Sequence, residues 1–318
     1  MVNQFGLDVV QAYMGHVQDN AEECVRRAIT TLRDADYTYH MDPDFDGVAR
    51  QIRVKVSADQ ADRSATIDFT GTTAQLATNY NAPEPVTMAA VLYVFRLLVD
   101  DDIPMNDGVM KPLKVVLPRG TMLSPEYPAA IIAGNVETSQ AVTSALLLAL
   151  GVQAAAQSSM NNTTWGNDRY QYYETICGGS GAGRLANGDG HSGTGGVHTH
   201  MTNSRLTDPE VLELRFPVML EEFSIRRGSG GNGEFRGGDG TTRRVRFLED
   251  MTLAVLTGHR IVPPPGLEEG GNGAVGRNRV VRRDGTVEDL RSADQTTMAA
   301  GDVFWLDTPS GGGFTPSD

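Results

Sequence analysis

Two hydrophobic patterns in the first 70 residues predict different kinds of element. From residue 5 to residue 32, apolar side chains recur at steps of three and four, which is the spacing of one face of a long helix. Residues 37–41, 51–58 and 64–70 instead alternate apolar and polar side chains, and this alternation predicts an antiparallel meander. The helical pattern begins almost at Met1 without an N-cap residue, so we expect the helix to continue from a preceding segment in a longer protein.

Two further helices and several short strands are predicted over residues 85–201. Helical patterns cover residues 85–99 and 135–155, and the second is apolar on nearly every side, which is typical of a helix packed in the middle of a domain. A short strand is predicted at residues 113–117. Three more strand-like stretches lie among many glycines, at residues 160–164, 170–175 and 197–201.

From residue 217 onward, the pattern is one of strands and turns only. Strands are predicted at residues 218–226, 242–248, 252–256, 279–282 and 303–308, with glycine-rich segments between them. This spacing indicates a small sandwich or a barrel-like domain. We therefore predict an α+β chain, with a helix-and-sheet domain containing long buried helices at residues 1–215 and a glycine-rich β domain at residues 216–318.

Composition argues against some classes of binding partner and indicates the cellular compartment. The 318 residues are 40% hydrophobic and 21% charged, as in ordinary globular proteins, and the formal net charge is −13. A strong negative charge opposes binding to nucleic acid or to an anionic membrane, because both need clustered Lys and Arg. With neither an apolar run of about 20 residues nor the layout of a signal peptide, the predicted location is cytoplasmic. Two cysteines in a chain of this length predict free thiols.

Glycine-rich segments offer two sequences with the spacing G-x-G-x-x-G, beginning at Gly228 and Gly271. A dinucleotide site needs a helix after such a loop, whereas both sequences are followed by strand patterns, so we interpret them as turns. No G-x-x-x-x-G-K-[ST] sequence is present. The loop from Gly178 to Gly183 contains Ser180 but lacks the strand-to-helix context of a serine nucleophile, and we predict a mobile or partner-contacting loop.

His198 and His200 stand two positions apart in the strand predicted at residues 197–201. Alternate residues of a strand share a face, so both imidazoles could reach one metal ion or one substrate. Further ligands would have to come from elsewhere in the chain, with Glu174 as one candidate. A metal site, a metal-free polar site and structural hydrogen bonding all remain open at this point.

Polar residues also gather at the start of the predicted apolar helix. Asn135, Glu137 and Gln140 follow Gly134 there, and the free amide groups of a helix N-terminus could help them to bind a carboxylate or carbonyl oxygen. The alternative interpretation is helix capping, with Asn135 as the N-cap residue.

Six segments of the sequence carry a resemblance to a known family. They are GNVETSQAV from Gly134, SSMNNTTWGN from Ser158, YYETICGGSGAG from Tyr172, VHTHMTNSRLTDPEVLELRFPV from Val197, GSGGNGEFRGGDG from Gly228 and TPSGGGF from Thr308. In this order, they closely resemble the B-type subunits of hydantoinases and 5-oxoprolinases. The resemblance runs from about residue 6 to the end.

The resemblance implies a hetero-oligomeric enzyme that opens a small cyclic amide. In this family, a B-type chain pairs with an A-type chain of actin-like ATPase fold, so ATP and Mg²⁺ are expected on that partner subunit, where ATP activates the substrate oxygen. B-type chains are longer than this one, and in carboxylase relatives their amino-terminal half carries the metal ligands. A divalent metal is therefore expected in that half, and no metal is assigned to residues of this chain.

On this basis, we predict a set of site residues with two roles. One imidazole serves as general base for the attacking water, and Asn and Glu side chains hold the ring N–H and C=O groups. The predicted catalytic residues are His198, His200 and Glu174, and the predicted substrate-binding residues are Asn135, Glu137, Asn161 and Asn162. Two alternatives remain: a subunit of an ATP-dependent ketone carboxylase, and a non-catalytic assembly module.

Overall fold

A computed structural model describes residues 1–43, 47–185 and 187–317. Helices and several β-sheets coexist in the described chain, which confirms the predicted α+β class. Within these ranges, no helix combines the length and the apolar character that crossing a bilayer requires.

The amino-terminal helical pattern forms two helices, α1 (Val2–Phe5) and α2 (Leu7–Ile29). They are separated at Gly6, whose φ of 83° is incompatible with a continuous right-handed helix. Only the carboxy-terminal half of α2 is buried, at Ala21, Cys24, Val25 and Ile29. The apolar side chains of the preceding turns are exposed to solvent.

A four-stranded sheet follows, as the alternating pattern predicts. Its strands are β1 (Ala35–Met41), β2 (Arg50–Asp59), β3 (Ser64–Asp68) and β4 (Leu113–Val116), in that spatial order. The first three are antiparallel neighbours, and β4 pairs with β3 in parallel. Ile52, Val54 and Val56 are fully buried at every second position of β2, so one face of the sheet is directed into the core.

Two helices pack together beside this sheet, α3 (Glu84–Leu97) and α4 (Thr138–Ala149), with short 3₁₀ turns at Asp107–Met110 and Ile132–Gly134. Helix α4 contacts β1 and β2 and is buried at 11 of its 12 positions, which confirms the prediction of a central packed helix. It is shorter than the predicted span of residues 135–155. The chain leaves the helix at Gly151, which has a φ of 66°.

The remainder of the described chain is dominated by β-structure. Its elements are β5 (Asn162–Gly166), β6 (Gln171–Glu174), β7 (Gly183–Arg184), β8 (Gly190–His191), α5 (Pro209–Arg215), β9 (Val218–Ile225), β10 (Thr241–Phe247), β11 (Met251–Leu256), β12 (Leu267–Glu268), β13 (Arg277–Val281), β14 (Val287–Leu290), β15 (Ala293–Met298), β16 (Val303–Asp307) and β17 (Phe314–Thr315). The sequence pattern did not predict α5, nor the strands β7, β8, β12, β14, β15 and β17.

Two larger sheets organise this region. One has the order β14-β13-β16-β10-β9, and the other has the order β15-β11-β5-β6. Strand β5 pairs with β11, so the second sheet joins strands from both sides of residue 215. The division into domains at residue 215 stays a prediction.

The strand predicted at residues 197–201 is absent. Val197 forms only an isolated bridge with Gly178, and His200 has a φ of 55°, which an extended strand does not contain. The prediction was wrong because this segment forms loop contacts and does not pair with a neighbouring strand. The spacing of its polar residues therefore does not reflect a strand.

The loop from Gly178 to Gly183 is packed inside the molecule, so the prediction of a mobile or partner-contacting loop was also wrong. A Cβ atom on Gly179 would lie 1.9 Å from the carbonyl oxygen of Gly238 and 2.5 Å from the amide of Gly311. Backbone therefore packs directly against backbone here, which only glycine permits.

Candidate functional site

A buried carboxylate lies where helix α4 begins. Glu137 is 1% exposed and occupies the N-cap position of α4, without making a side-chain cap. Its Oε1 accepts hydrogen bonds from Ser159 Oγ at 3.0 Å and from the Met160 amide at 3.1 Å. Among the described residues, it forms no ion pair within 4.0 Å, and burial raises its pKa to about 8. Glu137 is therefore a neutral acid around neutral pH.

The backbone after β11 can approach the Glu137 carboxyl group closely because residue 258 is a glycine. A Cβ atom on Gly258 would lie 2.8 Å from Glu137 Oε2, which is too close for a side chain there. The amide of Gly258 donates to Ser159 Oγ at 3.0 Å, so the chain after β11 lies against the start of α4. The two parts of the sequence thus meet at this carboxyl group.

A chain of hydrogen bonds links Glu137 to Arg260. Ser159 Oγ accepts from the Asn161 amide at 3.0 Å, and Asn161 Oδ1 accepts from Arg260 Nη2 at 2.9 Å. Arg260 also donates from Nε and Nη2 to Asn278 Oδ1, at 3.0 and 2.8 Å. Burial lowers the pKa of Arg260 to about 10, so its guanidinium stays charged at neutral pH.

Asp42 fixes the loop that carries Arg260. Its Oδ2 accepts from the Arg260 amide at 2.6 Å, and its Oδ1 accepts from the amides of Ile261 and Val262 at 3.0 and 2.8 Å. Burial acts to raise the pKa of Asp42, but the nearby His259 and these amide hydrogen bonds outweigh burial and hold it below its usual value. The end of β1 thereby positions a loop more than 200 residues further along the chain.

A second contact fixes the same loop. The Tyr39 hydroxyl lies 2.7 Å from His259 Nε2, and His259 Nδ1 lies 2.6 Å from the Val262 carbonyl oxygen. Because a carbonyl oxygen only accepts, Nδ1 carries the proton, and Nε2 then accepts from Tyr39. Burial lowers the pKa of His259, in agreement with a neutral imidazole in this position.

Arg260, Ile261 and Asn278 of this network line a cavity of about 400 Å³. Its volume lies within the range of small-molecule sites. Polar side chains in its wall include Arg50, Tyr80, Arg260, Asn278, Asp289 and Ser292. A much smaller cavity of about 10 Å³ shares Arg50 and Tyr80 with it and is lined by Glu137. A small polar molecule therefore has a place to bind in the larger cavity, against Arg50 and Tyr80, the two side chains that it shares with the small cavity at Glu137.

Of the seven predicted site residues, Glu137 and Asn161 lie in this network, and Glu174 lies elsewhere. Glu174 accepts from Arg243 Nε and Nη2, at 2.8 and 3.0 Å, and from the Tyr172 hydroxyl at 2.9 Å. Both partners of the ion pair are buried. This geometry favours a structural role for Glu174, whose catalytic role stays a prediction.

The two remaining predicted substrate-binding residues differ in burial. Asn162 is buried, and its Oδ1 accepts from the Tyr173 hydroxyl, while its Nδ2 has no partner in the described part of the chain. Asn135 is exposed, and its carbonyl oxygen accepts from Ser139 Oγ at 2.7 Å. The N-cap position of α4 belongs to Glu137, so the capping role predicted for Asn135 was wrong.

His198 and His200 lie in the loop that replaces the predicted strand. Neither ring nitrogen of His198 has a hydrogen-bond partner among the residues that the structure describes, and His200 Nδ1 lies 3.4 Å from the Tyr93 hydroxyl. Burial lowers the pKa of both imidazoles, that of His200 to about 4. In the described ranges, no group of three or more His, Cys, Asp or Glu could hold a metal ion. The argument from a shared strand face was wrong, and the catalytic roles of the two histidines stay predictions.

Sequence reasoning missed Asp42, Arg50, Tyr80, Arg260 and Asn278. Asp42 belongs to the turn-forming sequence DPDFDG, Arg50 begins β2, and Arg260 lies four residues after β11, so each has a local explanation that calls for no site. The adjacent pair His259 and Arg260, in a stretch without other charged residues, is the one local signal that could have identified the loop.

Comparison with known proteins places the chain in a family. A family profile described as hydantoinase B/oxoprolinase matches residues 1–317. The chain belongs to this hydantoinase B/oxoprolinase family. It is 41% identical to 5-oxoprolinase 1 of Arabidopsis thaliana over 99% of this chain, and 38% identical to 5-oxoprolinase of Dictyostelium discoideum over 100% of it. In both alignments, it spans only 25% of the relative.

The hydantoinase B/oxoprolinase fold is also found in a solved structure. ATP-dependent caprolactamase from Pseudomonas jessenii superposes with a TM-score of 0.79 at 22% identity, over 99% of this chain and 57% of that one. At this identity, the likeness concerns the fold alone. The family resemblance deduced from the six sequence segments is confirmed.

Proposed function

We propose that this chain is part of an ATP-dependent cyclic-amide hydrolase of the 5-oxoprolinase type, and that Glu137, which lines the adjoining small cavity, acts on an amide bound in the 400 Å³ cavity. The identity to relatives named 5-oxoprolinase supports this choice over the ketone carboxylase alternative. Because the chain spans a quarter of those relatives, the complete activity is assigned to an assembly that contains more protein than this region.

The observation that carries the proposal is the raised pKa of the Glu137 carboxyl group. A carboxyl group with a pKa of about 8 can both donate and accept a proton near neutral pH, which is the property required of a general acid–base group. When a lactam ring opens, the C–N bond breaks and the nitrogen must gain a proton. Glu137 donates that proton, while the Asn161–Arg260 chain holds the surrounding loop in place.

ATP supplies the driving force that an unactivated amide lacks. Phosphorylation of the amide oxygen makes the carbonyl carbon a stronger electrophile, and water then replaces the ring nitrogen on that carbon. In total, a C–N bond is exchanged for a C–O bond, and ATP becomes ADP and phosphate. We assign ATP and Mg²⁺ to an A-type partner subunit or to an equivalent region of a longer chain, and the hetero-oligomer belongs to this proposal.

The test is turnover by the assembled enzyme. The chain is co-purified with its A-type partner, and ATP-dependent opening of 5-oxoproline is measured for the wild type and for Glu137→Gln. We expect kcat to fall by about 10²- to 10⁴-fold, the usual contribution of a general acid–base group. Glu210→Gln, at an exposed position in the first turn of α5, is the matched control and should retain full activity.

Four outcomes separate the alternatives. Unchanged kcat in Glu137→Gln would contradict the role of Glu137, and unchanged kcat in His198→Ala would contradict the predicted imidazole base. Incorporation of labelled bicarbonate into product would identify a carboxylase. If Glu137→Gln and His198→Ala both turn over normally while assembly depends on this chain, the non-catalytic module is the better description.

A further inference from the structure

Two buried hydrogen-bond donors, on residues that line the cavity, have no partner among the described residues. Arg50 and Tyr80 are each 2% exposed, and neither Arg50 Nη1 nor the Tyr80 hydroxyl forms a hydrogen bond with any residue that the structure describes. Buried polar groups are nearly always paired, because an unmade hydrogen bond in the interior costs free energy. Two unpaired donors in one cavity wall therefore point to a ligand that accepts from both.

Arg50 is held rigidly in place. Its Nε donates to the Asp42 carbonyl oxygen at 2.7 Å, and its Cζ lies 3.8 Å from the centre of the Tyr80 ring. In the part of the chain that the structure describes, no carboxylate lies within ion-pair distance of this guanidinium. A buried cation without a counter-charge is unfavourable unless an anion compensates it.

The charges around the cavity favour an anion. Among the described residues of its wall, Arg260 and Arg277 are also basic, and Asp289 is acidic. Asp42 is near, but its carboxylate is occupied by three amides and by the Ser292 hydroxyl. Burial raises the pKa of the Tyr80 phenol, so the hydroxyl keeps its proton and remains a donor.

We propose that the cavity binds a small oxyanion, a carboxylate or phosphate group, through Arg50 Nη1 and the Tyr80 hydroxyl. A planar guanidinium is suited to either anion. Resting on the proposed function, the oxyanion has two sources: the carboxylate of a substrate such as 5-oxoproline, or the phosphate that ring opening releases. Arg50 is then a specificity-determining residue, next to the reacting amide.

The experiment is calorimetric titration of the full chain at low ionic strength, with three probes. The probes are 5-oxoproline, 2-pyrrolidone, which is the same lactam ring without a carboxylate, and inorganic phosphate. Each is titrated into the wild type, Arg50→Met, Arg50→Lys and Tyr80→Phe. Arg169→Met, an exposed arginine paired with Glu249, controls for the loss of one positive charge.

We expect an anionic probe to bind at least tenfold more tightly to the wild type than to Arg50→Met, with Arg50→Lys and Tyr80→Phe in between and Arg169→Met unchanged. Binding of 5-oxoproline but not of 2-pyrrolidone or phosphate supports the substrate carboxylate as the source. Binding of phosphate alone supports the released phosphate.

Two outcomes overturn the proposal. One is that neither anion binds to the folded wild type at millimolar concentration. The other is that Arg50→Lys, which keeps the charge, and Arg50→Met both bind like the wild type. Binding and turnover are measured separately, so failure of the anion site leaves the test of Glu137→Gln unaffected, and a failed test of Glu137→Gln leaves the titration interpretable.

Discussion

Glu137 and Glu174 are both buried carboxylates, yet their surroundings are opposite. Glu137 is 1% exposed and Glu174 is 6% exposed. Glu174 receives two hydrogen bonds from the Arg243 guanidinium and a third from the Tyr172 hydroxyl. Glu137 accepts from one hydroxyl and one backbone amide, and no described cation pairs with it.

The difference shows that burial of an acid does not by itself identify a chemical site. At Glu174, opposite charges meet in a bidentate pair, and the pair holds β6 against β10. At Glu137, no described cation lies within ion-pair distance, and burial outweighs the more distant charges of Arg260 and Arg50, so the neutral form is favoured and a proton is available. The absence of a cation within ion-pair distance, among the described residues, distinguishes the second case.

The largest effect is expected from breaking the buried ion pair between Glu174 and Arg243. Glu174→Ala leaves the Arg243 guanidinium buried without an anion, and we expect the free energy of unfolding to fall by about 3–5 kcal/mol. Urea unfolding of the purified chain measures the change. A loss below about 1 kcal/mol, the range of exposed ion pairs, would show that the pair contributes little and would weaken the contrast with Glu137.

The pH dependence of stability tests Glu137. Its pKa rises from 4.5 in the unfolded chain to about 8 in the native state, so the folded protein holds a proton that the unfolded chain has lost. The contribution of Glu137 to stability is complete below pH 4.5 and is lost as pH rises through 8, with a slope of at most about 1.4 kcal/mol per pH unit. Urea unfolding from pH 5 to pH 8 should show this decline in the wild type.

In Glu137→Gln, the decline should be reduced by that contribution, because an amide does not titrate. Parallel pH profiles for the two proteins would mean that the Glu137 carboxyl group has an ordinary pKa and is not poised as an acid.

A smaller effect is expected from Glu137→Gln at pH 5, where the native carboxyl group is protonated. Glutamine can keep the acceptor for Ser159 and the Met160 amide, so the free energy of unfolding should change by about 1 kcal/mol or less. Glu174→Gln under the same conditions serves as the matched comparison and should cost more, because it leaves Arg243 unpaired. Equal losses in the two variants would remove the distinction between the two carboxylates.

The smallest effect on the free energy of unfolding is expected from a substitution of Asn135, two residues before Glu137. Asn135 is exposed and does not cap α4, so Asn135→Ala should change the free energy of unfolding by less than about 0.5 kcal/mol. An N-cap residue would instead contribute about 1 kcal/mol. A loss of that size, measured by urea unfolding, would restore the capping role and place the helix start earlier.

Local periodicity was sufficient for most regular elements. The alternation in β1–β3 and the apolar residues of α4 each depend on neighbours a few positions apart, so the sequence was sufficient to predict these elements. The strand predicted at residues 197–201 and the mobile glycine loop were wrong, because loop contacts and backbone packing from distant segments decide those conformations.

The sequence by itself determined the α+β class, the family and two members of the candidate site, Glu137 and Asn161. Only the tertiary structure decided which buried acid faces a cavity and which is neutralised. The contacts responsible join residues far apart in the chain, such as Asp42 to the Arg260 amide, 218 positions away. Local spacing carries no information about such pairings, and burial, which governs the charge of Glu137, exists only after the chain has folded.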